Sequence, residues 1–176
     1  MNKILKSYSI LIPTTGLIIF LDQWTKAVVR QFLALGDVWM PLNWLAPHAR
    51  IVHWYNTGVA FGMFQDKNLL FSILALTISI LLIVFYPKLT DDDWFLRIAL
   101  GLQLGGSLGN LIDRIKIGYV TDFISVGNFP VFNIADASIT MGVVVMIIGL
   151  WVEEKKERKK KLSEETQTEN PEKIIN

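Results

Sequence analysis

The sequence contains no cysteine. That absence excludes a thiol nucleophile, thiolate ligands for a metal, disulfides and lipidation of the chain itself. Histidine is nearly as scarce, with only His48 and His53 present. No His-Glu-x-x-His zinc motif occurs, and the Gly-x-Ser-x-Gly match at Gly105-Gly106-Ser107-Leu108-Gly109 lies inside a long apolar run rather than at a strand-to-helix turn, so neither the metallo- nor the serine-hydrolase signature is met. Charge is short as well: 19% of the 176 residues are charged against 52% hydrophobic, and the formal net charge is +1. A water-soluble domain of this length needs more polar surface, which puts the chain in the membrane class. A balance so near neutral predicts no nucleic-acid partner, and no metal or other cofactor is expected.

What the sequence does hold is long apolar runs. A membrane-spanning helix needs about 20 mostly apolar residues, and four segments qualify as expectations. They lie around Ile10 to Val29, from Leu69 to Tyr86 with Pro87 as a stop, from Phe95 to Ile115, and from Ile134 to Val152. Lys3 and Lys6 ahead of the first run have the look of a secretory signal, but no small-residue cleavage site precedes Asp22-Gln23-Trp24, so an uncleaved helix is expected. The fold class expected is an all-α membrane protein of four transmembrane helices. Lys155, Lys156, Arg158, Lys159, Lys160 and Lys161 put the C-terminal end in the cytoplasm by the positive-inside rule, with the N-terminus on the same side. Residues 1–152 then form one membrane-embedded domain. Residues 153–176 form a charged tail expected to lack regular structure, whose basic cluster either sets topology or touches anionic lipid.

Two connecting segments, Ala34 to Lys67 and Lys116 to Pro130, fall outside on this topology. Ile51-Val52-His53-Trp54-Tyr55 favours strand, Asn56-Thr57-Gly58 favours a turn, and Trp39, Trp44 and Trp54 suit the headgroup level. The expectation is a small β-like cradle on the outer bilayer surface, with His48 and His53 in interfacial packing. On the opposite side, Thr90 is expected to cap the third helix, with Asp91, Asp92 and Asp93 complementing its dipole.

Ionisable residues inside spans need a partner or a purpose. Asp22 and Lys26 are one turn apart and read either as an intrahelical pair or as support for a nearby site. Adjacent Asp113 and Arg114 must point different ways, leaving Arg114 to bind backbone carbonyls or a headgroup, or to snorkel to the interface. Gly101, Gly105 and Gly109 form a small-residue stripe for close helix packing, which brings Asn110 against a neighbour. Asn133-Ile134-Ala135-Asp136 reads as a cap with an acid at the third helical position, and Asp122 alone reads as an ordinary loop acid. As a pair the two acids say more. The intervening Gly127, Asn128 and Pro130 form a turn that can bring both carboxylates to the outer boundary. Two carboxyls about 3 Å apart share a proton, so one activates water while the other donates to a carbonyl.

Five blocks carry a resemblance: Asp22-Gln23-Trp24-Thr25-Lys26, Asn56-Thr57-Gly58-Val59-Ala60-Phe61-Gly62, Gly105 through Arg114, Val120-Thr121-Asp122-Phe123, and Phe132-Asn133-Ile134-Ala135-Asp136. In this order the chain resembles the bacterial lipoprotein signal peptidases, the signal peptidase II family. The resemblance implies a four-helix bundle with an extracytoplasmic cradle, an aspartyl dyad of Asp122 and Asp136, and support or substrate binding by Asn56, Gly58, Asn110, Arg114 and Asn133, with Asp22 and Lys26 beside them. It implies a monomer in the bacterial cell membrane and a diacylglyceryl-prolipoprotein substrate cut just before the lipidated cysteine. It also implies sensitivity to globomycin-type inhibitors. A proton-coupled transporter and a structural assembly protein are the competing classes, the first testable by Asp-dependent proton flux, the second by disruption of a complex in Gly105→Leu.

Overall fold

A computed structural model describes residues 3–58, 67–90 and 93–169. Four helices and three strands occur in the order α1 (Lys3–Phe32), β1 (Val38–Trp39), β2 (Ala49–Asn56), α2 (Asn68–Thr90), α3 (Trp94–Ile117), β3 (Val120–Val126) and α4 (Ile134–Glu169). Among the described residues, α2, α3 and the α4 segment Ile134–Ser163 are long and apolar enough to cross a membrane. The helix α3 is central and packs against each of the other three. Its glycines explain how. A side chain at Gly101, Gly105 or Gly109 would run into Thr14, Ile18 and Asp22 respectively, and one at Gly106 would meet Ser138 and Ile139. The four-residue spacing of the stripe thus matches a four-residue spacing on α1, while Gly106 admits α4 from another side.

The apolar end of the bundle is closed by Leu11, Tyr86, Leu100 and Leu104, with Tyr8, Leu82, Leu96 and Leu108 around them. In contrast, α2 turns Leu69, Ile73, Leu76, Ile80 and Val84 outward, as a helix facing hydrocarbon does. Its expected stop at Pro87 does not occur, and the helix continues to Thr90. Pro87 cannot donate to the carbonyl of Ile83, and the Tyr8 hydroxyl donates to that oxygen instead at 2.9 Å, so the orphaned acceptor is satisfied.

The cap expected at Thr90 is also corrected. Thr90 ends α2, its hydroxyl donating to Tyr86 O, and Asp93 caps α3 by accepting from Leu96 N at 3.1 Å. Asp91 and Asp92 lie outside the described residues. At the other end, α4 runs as helix to Glu169, where an unstructured tail is expected from residue 153. The Lys/Glu-rich sequence has high helix propensity, and pairs such as Glu154–Arg158 at i,i+4 add local support.

The strands form one antiparallel sheet in the order β1-β2-β3. The Val120 to Val126 segment is therefore a strand, and Asp122 is a strand residue rather than the loop acid expected. His53 is buried, its Nδ1 donating to Leu33 O at 2.9 Å, which fastens the sheet to the end of α1.

Candidate active site

All the sequence-predicted polar residues converge at the end of the bundle that carries the sheet. In the β2–β3 register Trp54 is opposite Asp122 and Asn56 is opposite Val120, so Asn56 and Asp122 are diagonal neighbours on one face. The chain then reverses at Gly127, whose φ of 51° favours glycine. Phe132 comes back beside Ile124, with Phe132 N donating to Ile124 O at 3.0 Å. That return places Asn133 next to Asp122 and starts α4. Asn133 and Asp136 form a reciprocal cap: Asp136 N donates to Asn133 Oδ1 at 3.0 Å, and Asn133 N donates to Asp136 Oδ2 at 3.3 Å. Asp136 is thus a capping acid and also a wall of the same pocket as Asp122. The two readings of this residue are compatible.

That pocket is open and about 540 Å³ in volume. Asn56, Gly58, Asn110, Arg114, Asp122 and Asp136 form its polar part, while Phe129, Ile139, Met141 and Val144 are among its apolar walls. Both carboxylates are held by amides. Asp122 accepts from Asn133 Nδ2 at 2.6 Å and from Asn56 Nδ2 at 3.0 Å. Asp136 accepts from Asn110 Nδ2 at 2.8 Å. Each amide oxygen is tied down in turn, Asn56 Oδ1 by Gly58 N and Asn110 Oδ1 by Lys26 Nζ, both at 2.9 Å. Burial first, and then the neighbouring Asp136 carboxylate, push the Asp122 carboxyl up to about 7, against the opposing hydrogen bonds from Asn56 and Asn133.

Behind the pocket lies a second cluster. Lys26 pairs with Asp22 at 2.9 Å and with Asp113 at 3.2 Å, with neither Lys26 nor Asp22 exposed at all. Asp113 also meets Arg30 at 3.3 Å and accepts from Thr121 N at 3.1 Å. Asp22 Oδ1 accepts from Ala135 N, fixing the start of α4. Arg114, adjacent to Asp113, points away to Gly58 O at 3.3 Å and to the Phe71 ring, so of its open readings the backbone contact is the one seen.

The family model for signal peptidase (SPase) II matches residues 14–152. The chain belongs to the signal peptidase II family. It is 36% identical over 148 residues to the lipoprotein signal peptidase of Anoxybacillus flavithermus, covering 80% of this chain and 84% of that protein. It is 37% identical over 138 residues to that of Staphylococcus aureus, covering 76% and 82%. The fold is similar to a bacterial membrane enzyme solved by the in meso method at 2.3 Å resolution, with a TM-score of 0.76, 33% identity, and coverage of 83% of this chain and 90% of that one.

Within this signal peptidase II family member, the structure gathers Asp122, Asp136, Asn56, Gly58, Asn110 and Arg114 around one pocket, with Asn133 bonded to both acids. Asp22 and Lys26 lie one layer behind. Sequence reasoning missed Arg30, which stands at the third position of a four-residue series with Asp22 and Lys26 and donates to Thr121 Oγ1 at 2.9 Å. The spacing was there to find, since residues four apart share a helix face. Val59 to Gly62, part of the second motif block, lie outside the described residues.

Proposed function

We propose that this chain is an intramembrane aspartyl endopeptidase that removes the signal peptide from diacylglyceryl-modified prolipoproteins, cutting just before the lipidated cysteine. One observation carries the reading: two carboxylates on different elements line one pocket with amides as their hydrogen-bond donors. In the mechanism, the pair holds one proton. The ionised carboxylate takes a proton from water as its oxygen attacks the scissile carbonyl carbon, and the protonated one donates to the carbonyl oxygen. The tetrahedral intermediate then collapses: the C–N bond breaks as the leaving amine takes the proton from one carboxyl and a hydroxyl of the intermediate returns its proton to the other, so the dyad again holds one. The two acids titrate together, so the roles belong to the dyad. Asn56, Asn110 and Asn133 keep the oxygens aimed. Arg114 and Gly58, on the pocket rim, are suited to hold substrate backbone.

Membership of a family of lipoprotein signal peptidases supports the substrate class, and an anchored lipid leaves only the peptide bond to be positioned. The apolar pocket wall along α4 fits a lipidated or signal-peptide segment arriving from the bilayer. We place α1 as a fourth span, both termini in the cytoplasm, the sheet as an extracytoplasmic cradle, and the enzyme as a monomer in the bacterial cell membrane, open to globomycin-type inhibitors. The test is cleavage of a purified diacylglyceryl-prolipoprotein, followed by gel shift. Cutting by wild type that is lost in folded Asp122→Asn and Asp136→Asn is expected. Intact substrate with wild type, or cutting by both variants, removes the assignment. A periplasmic-type reporter active after Lys161 would overturn the topology.

A further inference from the structure

Three amides aim hydrogens at the acids, and each is oriented from behind by a donor on its oxygen. For Asn56 that donor is the backbone N–H of Gly58, and for Asn133 it is the backbone N–H of Asp136. For Asn110 it is the ammonium of Lys26, a buried charge from another helix, joined by Asn133 Nδ2 at 3.1 Å. A lysine ammonium has donors and no acceptor, so only the oxygen of the Asn110 amide can face it. The nitrogen must then turn the other way, where Asp136 Oδ1 receives it at 2.8 Å. Nothing local to α3 imposes this choice.

We propose that Lys26 is a positioning residue, whose ammonium locks the Asn110 amide in the orientation that holds the Asp136 carboxylate for reaction. The inference rests on the reading of Asp136 as half of the dyad. Lys26 reaches Asp136 through Asn110, and the partners Asp22 and Asp113 hold it in place. The four groups Asp22, Lys26, Asp113 and Arg30 balance in charge, two acids against two cations. Removing Lys26 alone would leave an unmatched carboxylate and confuse a positional effect with a folding one.

The experiment therefore uses the charge-compensated double variant Asp22→Asn/Lys26→Met in the full chain, beside wild type. The amide introduced by Asp22→Asn keeps an oxygen for Ala135 N, and Asp113 keeps Arg30. The expected result is a folded protein, by thermal unfolding in detergent, whose kcat on diacylglyceryl-prolipoprotein falls about 10²-fold, the scale of a small misplacement of a reacting group. KM should stay within about twofold, because the groups proposed to hold substrate backbone are untouched. A second readout is independent of activity. In protein with 15N-labelled asparagine, the Asn110 side-chain amide should show a hydrogen-bonded resonance in wild type that shifts in the double variant. Wild-type kcat together with an unmoved Asn110 resonance overturns the proposal. So does a double variant that fails to fold, because the cation is then needed for the fold as a whole. If wild type leaves the substrate uncut, the peptidase reading fails by itself, and the resonance still decides whether Lys26 sets the amide.

Discussion

Asp22 and Asp113 each touch a cation, whereas the hydrogen-bond donors found on Asp122 and Asp136 are amides. The two clusters share one end of the bundle and one residue type, yet they do different things. In the rear cluster both carboxylates are ion-paired and closed off between α1 and α3, where the pairs hold the helices together. The front pair faces a pocket, and among the described residues no ion pair neutralises it. Amide donors stabilise a carboxylate less than a cation does, so burial and mutual repulsion make protonation accessible at Asp122. Ion-paired carboxylates build the frame, and carboxylates held by amides suit the proton transfer proposed for them.

The contrast can be broken most severely at the front pair. Asp122→Asn and Asp136→Asn are each expected to lower kcat by about 10³-fold or more with the fold retained, the scale of losing an acid–base group. Assay of both variants for prolipoprotein cleavage checks this. The rear cluster should answer in the opposite way. Asp113→Leu strips Lys26 and Arg30 of a shared buried partner and should cost about 3–5 kcal/mol of stability, read as a fall in the unfolding midpoint.

The pH response sharpens the comparison. Folding raises Asp122 to about 7, above the usual carboxylate value near 4. The folded state therefore holds the extra proton between those limits. The stability this group contributes is complete below about pH 4 and is lost as pH rises through about 7. Unfolding measured from pH 4 to 8 should show wild type losing ground to Asp122→Asn up to about pH 7 and level afterwards. The smallest effect expected is at Gly109→Ala. Its new methyl would lie 2.7 Å from Asp22 Oδ2, and Asp22 is pinned by Lys26 and Ala135 N. A loss of about 1–3 kcal/mol is expected, as for other overpacked sites, in the same unfolding assay.

The parts of the molecule readable in advance are those written in local spacing. The glycine stripe, the Asp22–Lys26 pair, the divergence of Asp113 from Arg114 and the Asn133–Asp136 cap all depend on residues within a turn of one another, and helix geometry alone fixes those relations. The strand at Val120 to Val126 was less legible, because its first residues follow a helix and its pairing partner, β2, lies about 65 residues earlier, as in the Tyr55–Thr121 pairing. The stop at Pro87 failed for a similar reason: the acceptor that proline orphans is served by Tyr8 from another helix.

By itself, then, the sequence determined the apolar segments, the Asn133–Asp136 cap and which acids stand in unusual company, since periodicity and composition act within single elements. Only the tertiary structure decided that Asp122 on a strand and Asp136 on a helix line one pocket, and that the Asp22–Lys26 pair is buried rather than exposed. Those outcomes follow from how closely the glycines of α3 let α1 and α4 approach, and from the register in which β3 joins β2. Contacts between elements are fixed by packing, and packing is a property of the folded whole.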